Sequence, residues 1–151
     1  MPKRDYYHIS LKLILKNEKD EVLVLGSDPK GSLLGKYDLP GGRIDESEFS
    51  TPYEQIIRRE VSEEVGNIEL SLNQKPVAIG RHLIPKKLTS ENKDIHIMYI
   101  FFEAKMISGN IQISSEHNGY KWVKLGENDP ADYFTSGILE GINMYLSNSN
   151  K

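Results

Sequence analysis

The sequence predicts a mixed α/β domain in which one sheet lies between two helices. Strand-like apolar segments recur along the whole chain, one helical pattern interrupts them in the middle, and a second helical pattern closes the chain. Strands and helices that alternate in this way pack as layers, with a helix on each face of the sheet. The 151 residues suffice for one such domain, and we expect residues 1–151 to form a single one.

The first part of the chain carries two strand signals and a glycine turn. Alternating apolar residues predict a strand near Tyr7 to Leu15, and the apolar run in EVLVLG predicts a second, more buried strand. Residues 27–36 are rich in Gly, Ser and Lys and are expected to form a loop. The segment YDLPGGRIDESE then predicts a short strand that ends at Pro40, Gly41 and Gly42, in a tight turn where the backbone can approach a ligand closely.

The helical pattern in the middle of the chain has a start signal and a stop signal. Thr51, Pro52 and Glu54 match the N-cap, the first position and the third position of a capping box. Gly66 stands where a left-handed residue usually ends a helix. We therefore expect a helix from Pro52 to about Val65.

The second half of the chain predicts four further strands and a last helix. The strand signals lie in NIELSL, PVAIGRHLI, IHIMYIFFEAKM and YKWVKL, with the long polar loop PKKLTSENKD before the third. DPADYF is expected to form a turn. Residues 136–146 carry apolar side chains at helical spacing, and SNSNK is expected to be a frayed tail.

Composition excludes several classes of function. A formal net charge of −3 is too mild for a nucleic-acid surface or a polybasic membrane anchor. There is no cysteine, which rules out disulfides and thiolate zinc sites and fits a reducing compartment. The N-terminus lacks the apolar stretch of a signal peptide, and the longest apolar run, Ile97 to Phe102, is too short to span a bilayer. We therefore expect a cytoplasmic protein with neither a nucleic-acid nor a membrane partner.

The predicted central helix concentrates carboxylates beside its apolar stripe. Helical spacing puts three glutamates on one face, about a quarter-turn from the stripe: Glu60, Glu63 and Glu64, beside Ile57, Val61 and Val65. Carboxylates that border the core repel one another strongly and call for a compensating cation. Oxygen ligands of this kind suit Mg²⁺ or Mn²⁺. On spacing alone, a metal site and an ordinary charged helix flank both remain open.

The wider pattern resembles the signature box of the Nudix hydrolases. The box reads G-x5-E, then a spacer, then R-E-U-x-E-E-x-G with U an aliphatic residue, and it occurs here as Gly42, Glu48, Arg59, Glu60, Val61, Glu63, Glu64 and Gly66. The preceding LPGG, residues 39–42, is also similar to the family's entry to the box. The spacer is three residues longer than in the family, which leaves open whether Glu48 still pairs with Arg59, and Asn67 stands where an aliphatic residue is usual.

The resemblance implies a fold, a metal and a set of roles. The fold is the family's α/β/α sandwich, a mixed sheet between the box helix and the C-terminal helix, and family members are often homodimers. The metal is Mg²⁺, with Mn²⁺ as a possible substitute. Carried over by position, Glu60 and Glu64 are the main metal ligands and Glu63 assists. The Gly42 carbonyl adds a ligand, and Arg59 orients the glutamates by charge-assisted hydrogen bonds.

Further candidates lie outside the box. Glu116 precedes Trp122 by six residues, the spacing at which some family members carry an additional glutamate, and it is predicted to be an extra metal ligand or the base that deprotonates water. Glu103 is a weaker rival. His117, beside Glu116, is interpreted as an exposed loop histidine without a task. Four residues are predicted to bind the substrate through charge or pocket shape: Arg81, Lys86, Lys87 and Phe49.

The resulting functional prediction is a metal-dependent pyrophosphohydrolase. It would cleave a nucleoside diphosphate linked to another moiety, such as an NTP or dNTP, a nucleotide sugar or a dinucleoside polyphosphate, by water attack on phosphorus. The alternative is a catalytically idle Nudix-like module that binds a nucleotide as a sensor. Degenerate modules tend to lose a box carboxylate, and none is lost here, which favours the enzyme. The residues do not specify which nucleotide is the substrate.

Overall fold

A computed structural model describes residues 1–149, which form six strands and two α-helices. The strands are β1 (Tyr7–Lys16), β2 (Val22–Leu25), β3 (Gly41–Arg43), β4 (Glu69–Ile84), β5 (Ile95–Ser108) and β6 (Tyr120–Val123). The helices are α1 (Tyr53–Val65) and α2 (Ser136–Ser149). In this part of the chain neither helix is long and apolar enough to cross a bilayer. The predicted mixed α/β class is confirmed.

The strands of residues 1–149 form one mixed sheet in the order β4-β5-β1-β2-β6, with β3 added against β1. β1 runs parallel to β5, and the other pairs are antiparallel. The second edge of β1 is shared by two partners, because β3 pairs with residues 10–12 and β2 pairs at Lys16. Between them the Leu13 amide donates to the Pro40 carbonyl at 2.8 Å. This shared edge brings the glycine turn into the middle of the fold.

Two hydrophobic cores lie on opposite faces of the sheet. One joins α1 to the sheet, and it contains the predicted stripe of Ile57, Val61 and Val65. The other joins α2 to the sheet through Ile138 and Ile142 among others. Strand β1 serves both cores, since side chains alternate along a strand: its leucines face α1, and Ile14 faces α2. The α/β/α layering that the sequence predicts is therefore present.

The predicted capping box at the start of α1 is wrong. The helix begins at Tyr53, and its N-cap is Pro52, which makes no side-chain capping bond. The Pro52 carbonyl accepts from the amides of Gln55 and Ile56 and so starts the helix through the backbone. A glutamate-to-backbone bond of the capping-box kind occurs earlier, where the Asp45 amide donates to Glu48 Oε1 at 3.0 Å. The stop at Gly66 is confirmed, since its φ of 97° favours glycine.

The glycine turn also differs from the prediction. The strand follows the turn, as Gly41–Arg43, whereas residue 38 forms a lone bridge with Leu25. The backbone at Gly41 lies close to another group, because its φ is 142° and a Cβ there would lie 1.9 Å from the Leu11 carbonyl oxygen; the predicted approach to a ligand stays a prediction. The group that lies close to Gly41 is the backbone of β1.

Two boundaries that the sequence predicts in the second half of the chain also differ from those in the structure. The strands predicted in NIELSL and PVAIGRHLI are one strand, β4, with a register shift between Asn73 and Ala78. Pro76 lies in that irregular part, where its missing amide hydrogen breaks no ladder. Helix α2 continues to Ser149, so residues 147–149 of the predicted frayed tail are helical. The rest of that tail lies outside the described residues.

Candidate active site

Two carboxylates of α1 rest on the backbone of the glycine turn. Glu60 and Glu64 are one helical turn apart and face β3, which β1 holds in place. A Cβ on Gly42 would lie 2.6 Å from the Glu60 carboxylate atoms, so a side chain at residue 42 would displace this carboxylate from its present place. The Gly41 amide donates to Glu64 Oε1 at 2.8 Å. The side chains of Glu60 and Glu64 are 15% and 10% exposed.

The second oxygen of Glu64 contacts a histidine that the sequence interpretation placed in solvent. His117 Nε2 lies 2.6 Å from Glu64 Oε2, and the His117 side chain is 10% exposed. The chain segment that leads to His117 is held by the last turn of α1, because the amides of Gln112 and Ser114 donate to the terminal carbonyls of that helix at Val65 and Glu64. The hydrogen bond to Glu64 raises the pKa of His117, although burial opposes this. The interpretation of His117 as an exposed residue without a task is therefore wrong.

Arg59 joins the loop glutamate to the helix glutamates. Its Nη2 donates to both oxygens of Glu48, at 3.1 and 2.9 Å, and lies 3.2 Å from Glu60 Oε1. Its Nη1 is 3.3 Å from Glu63. The pairing that the longer spacer left open is thus present. A one-turn helix, Glu46–Glu48, places Glu48 in front of Arg59, and residues 49–52 connect it to α1.

The pKa values of these groups follow from the contacts. The bond from the Asp45 amide lowers the pKa of Glu48, and Arg59 lowers it further. The same pairing with Glu48 raises the pKa of Arg59. Burial raises the pKa of Glu60, the neighbouring charges of Glu64 and Glu63 add to the rise, and Arg59 opposes it. Glu60 therefore lacks sufficient positive charge in its surroundings.

The donor set fits a hard divalent cation bound largely through water. Among residues 1–149, no three His, Asp or Glu side chains stand where they could jointly hold a metal ion. Glu63 turns to Arg59 and is 57% exposed. What remains is two partly buried carboxylates against a backbone that carries no side chain. Mg²⁺ commonly takes one or two carboxylates and keeps several waters, so this set matches its chemistry.

The two remaining catalytic candidates, Glu116 and Glu103, lie in different parts of the molecule. Glu116 is exposed in the turn that also carries His117, so the chain brings it to the neighbourhood of Glu64. Its role stays a prediction. Glu103 lies elsewhere, 3.2 Å from Lys16 Nζ and hydrogen-bonded to the Tyr145 hydroxyl. These contacts place Glu103 on the α2 side of the sheet, where it pairs with Lys16 and not with the carboxylates of α1.

The four predicted substrate-binding residues do not form one group. Phe49 is 93% exposed and forms a wall of a cleft of about 950 Å³ together with Tyr7, Tyr53 and Arg43. Arg81 lies on the outer strand β4, where its amide donates to Glu140. Lys86 and Lys87 are exposed in the one-turn helix Lys86–Leu88 between β4 and β5. Within the described residues, none of the four makes a hydrogen bond or ion pair with Glu60 or Glu64.

Sequence reasoning missed one further charged residue beside the site. Lys12 lies in the middle of β1 and is 6% exposed. Its Nζ is 2.9 Å from Asp38 Oδ1 and 3.4 Å from the Leu39 carbonyl oxygen, directly before the glycine turn. The signal was available, since LKLILK interrupts an apolar strand with a lysine on the face that is buried by α2.

Comparison with known proteins supports the interpretation of residues 42–66 as a Nudix signature box. The NUDIX domain model matches residues 6–140. The nucleoside triphosphatase NudI of Escherichia coli O139:H28 is 26% identical over 112 residues, which cover 74% of this chain and 77% of that protein. The MutT protein from Methanosarcina mazei Go1 has the same fold, with a TM-score of 0.73 at 24% identity over 99% of this chain and 100% of that chain.

A more distant structure shares the fold as well. An ADP-ribose pyrophosphatase from Streptococcus suis 89-1591 superimposes with a TM-score of 0.59 at 17% identity, over 97% of this chain and 94% of that one. The family match spans most of the chain and includes the glycine turn, the arginine and the three glutamates of α1. The chain belongs to the Nudix hydrolases, enzymes that act on phosphoric anhydride bonds of nucleoside diphosphate derivatives.

Proposed function

We propose that the protein is a divalent-metal-dependent pyrophosphohydrolase that cleaves a nucleoside diphosphate linked to another moiety by attack of water on phosphorus. The observation that carries this proposal is the seating of Glu60 and Glu64 against the bare backbone of Gly41 and Gly42. Two partly buried carboxylates with one nearby arginine leave an excess of negative charge, which a divalent cation would offset.

Glu60, Glu64 and the Gly42 carbonyl would hold Mg²⁺ or Mn²⁺. Glu63, which pairs with Arg59 in this structure, would have to turn toward the ion to add a ligand, and Glu116 would be either a further ligand or the base. When bound, the ion neutralises the phosphates and lowers the pKa of a coordinated water. The chain's own residues fix the ligands: Arg59 orients Glu60, and His117 with the Gly41 amide orients Glu64. As the base, Glu116, on the turn beside His117, would take the proton of the attacking water.

The proposed substrate is a nucleotide. The relatives named above are by name a nucleoside triphosphatase and an ADP-ribose pyrophosphatase, and both names give a substrate that contains a nucleoside phosphate. The cleft beside Phe49 and Tyr53 begins at Arg43, the residue that follows the glycine turn. Exposed aromatic rings at this position could stack on a base, since stacking tolerates every base. NTPs, dNTPs, nucleotide sugars and dinucleoside polyphosphates are therefore the substrates to test.

The direct test is a panel assay with the full chain. NTPs, dNTPs, ADP-ribose and dinucleoside polyphosphates are each incubated with Mg²⁺, Mn²⁺ or EDTA, and the nucleotide products are separated by chromatography. We expect turnover of at least one substrate with metal and none with EDTA. Binding of a nucleotide without turnover under every metal condition would contradict the proposal and favour the sensor.

Two further parts of the proposal concern the cell and the assembly. We infer a cytoplasmic location from the cysteine-free composition, which fits a reducing compartment. Cell fractionation tests this inference. A homodimer is expected from the family resemblance alone, and light scattering on the purified chain tests it.

A further inference from the structure

Lys12 is a charged residue in a position that a strand normally fills with an apolar side chain. It lies in the centre of the sheet, opposite Phe101 on β5 and opposite Gly41 on β3. Its neighbours Leu11 and Leu13 are 1% and 0% exposed. An ammonium group buried this deeply is costly unless its surroundings pair it well. The groups that contact Lys12 should therefore explain why a charged side chain is stable at this position.

Both polar partners of Lys12 belong to the segment that enters the glycine turn. Nζ is 2.9 Å from Asp38 Oδ1 and 3.4 Å from the Leu39 carbonyl oxygen. Asp38 is itself fixed, because its backbone amide and carbonyl both bond to Leu25 at 2.8 Å. Burial would lower the pKa of Lys12, but Asp38, with Tyr99 and Glu64, outweighs burial and raises it. Lys12 is therefore a cation that ties β1 to residues 38 and 39.

The next residues of the same segment touch the proposed metal ligands. After Leu39, the Pro40 carbonyl accepts from the Leu13 amide, and the Gly41 amide donates to Glu64 Oε1 at 2.8 Å. Gly42 lies against the Glu60 carboxylate. A shift of the segment at Leu39 would thus move the backbone groups on which both glutamates rest.

We propose that Lys12 is a positioning residue: through Asp38 and the Leu39 carbonyl it fixes residues 39–42 in the place where they seat Glu60 and Glu64. Its effect on turnover rests on the proposed function, whereas its effect on the turn does not. Lys12 differs in this respect from Lys16 on the same strand. Lys16 pairs with Glu103 at 3.2 Å, and among residues 1–149 its side chain makes no hydrogen bond or ion pair with the glycine turn.

The test compares variants that remove one member of the Lys12–Asp38 pair, and so leave the other charge unpaired, with a variant that removes both charges. Lys12→Met leaves the Asp38 carboxylate without its cation, which destabilises the fold, so Asp38→Asn and the double variant Lys12→Met/Asp38→Asn are made alongside it. The double variant removes both charges and keeps similar side-chain volumes. Lys16→Met is the matched control on the same strand. Folding is checked for every variant by circular dichroism and thermal melting.

Two readouts separate the proposal from the function on which it rests. Hydrogen exchange of the Gly41 amide is measured without metal, and we expect faster exchange in the double variant and wild-type exchange in Lys16→Met. With the substrate found in the panel assay, we expect kcat of the double variant to fall about tenfold or more. The effects of the two single changes on kcat should be non-additive, since both break one contact.

Three results would overturn the proposal. The first is a folded double variant with wild-type Gly41 exchange. The second is a rise in KM at constant kcat and unchanged exchange, which would mean that Lys12 contacts the substrate directly. The third is an equal change of exchange in Lys16→Met. If the panel assay finds no substrate, the exchange measurement still decides whether Lys12 holds the turn.

Discussion

Two groups of polar side chains flank the sheet near β1, and they differ in how their charges balance. The carboxylate cluster consists of Glu48, Arg59, Glu60, Glu63, Glu64 and His117; its four carboxylates face one guanidinium and one imidazole. The α2-side cluster consists of Lys12, Asp38, His82, Ser32 and Ser136. It pairs one cation with one anion, and both ring nitrogens of His82 contact serine hydroxyls at 2.8 Å.

The difference distinguishes the proposed metal site from a cluster in which the charges and donors are paired. Buried polar groups are tolerated when every charge and donor finds a partner, as in the α2-side cluster. In the carboxylate cluster, burial raises the pKa of Glu60, and the negative charges of Glu64 and Glu63 raise it further against the opposing charge of Arg59. A divalent cation would remove this imbalance. Changes in the first cluster should therefore act directly on catalysis. Changes in the second should act on the fold, and at Lys12 and Asp38 they should reach catalysis only through the position of the glycine turn.

The largest expected effect comes from two neighbouring residues of α1. Glu64→Gln should lower kcat by about 10³-fold, because it removes a buried charge from the proposed metal site. Glu63→Gln should lower it far less, since Glu63 is 57% exposed and bound to Arg59. Steady-state kinetics and Mn²⁺ binding measure the contrast. Equal losses of kcat in the two variants would contradict the expectation that buried Glu64 matters more for catalysis than exposed Glu63.

A smaller effect is expected from closing the space beside Glu60. Gly42→Ala places a Cβ 2.6 Å from the Glu60 carboxylate, so this side chain has to move. We expect metal affinity to fall by about 10- to 100-fold, the usual cost of disturbing a ligand's support. Gly126→Ala is the control, because a Cβ at that position meets nothing within 4 Å. Titration of Mn²⁺ into both variants measures the difference, and wild-type affinity in Gly42→Ala would argue against Glu60 as a ligand.

The smallest effect concerns pH and stability in the α2-side cluster. Burial lowers the pKa of His82 in the folded chain, so the unfolded chain takes up a proton first as the pH falls. The stability that neutral His82 permits is complete above the unfolded pKa of about 6.5 and is lost as the pH falls toward the lowered folded value. His82→Gln does not titrate, and its stability should depend less on pH below about 6.5.

Urea unfolding of both chains between pH 8 and pH 5 measures this prediction. The difference at pH 8 gives the packing cost of the substitution, since His82 is neutral there in both states. The contribution of His82 to the slope cannot exceed about 1.4 kcal/mol per pH unit, the value for one proton. Parallel curves for the two chains would show that His82 takes up its proton equally in the folded and unfolded states.

Much of the carboxylate cluster was predictable, because its main residues are close in sequence. Helical spacing alone placed Glu60 and Glu64 on one face beside the stripe that packs in the α1 core. The glycine turn was predictable from its two glycines after a proline. The N-cap of α1 was not, because it is Pro52 and not Thr51. Proline has no side-chain acceptor, so this helix start has no side-chain cap and its first bonds are those from the Gln55 and Ile56 amides to the Pro52 carbonyl.

The sequence by itself determined the approximate positions of the two helices and of most strands, and which residue types crowd onto α1, because these depend on residues within a few positions of each other. Only the tertiary structure decided that His117 meets Glu64, 53 residues away, and that Lys12 meets the Leu39 carbonyl, 27 residues away. Such contacts depend on how the sheet orders its strands and on which edge of β1 receives the glycine turn. Local patterns carry no record of either, because loop closure costs little more for one distant partner than for another.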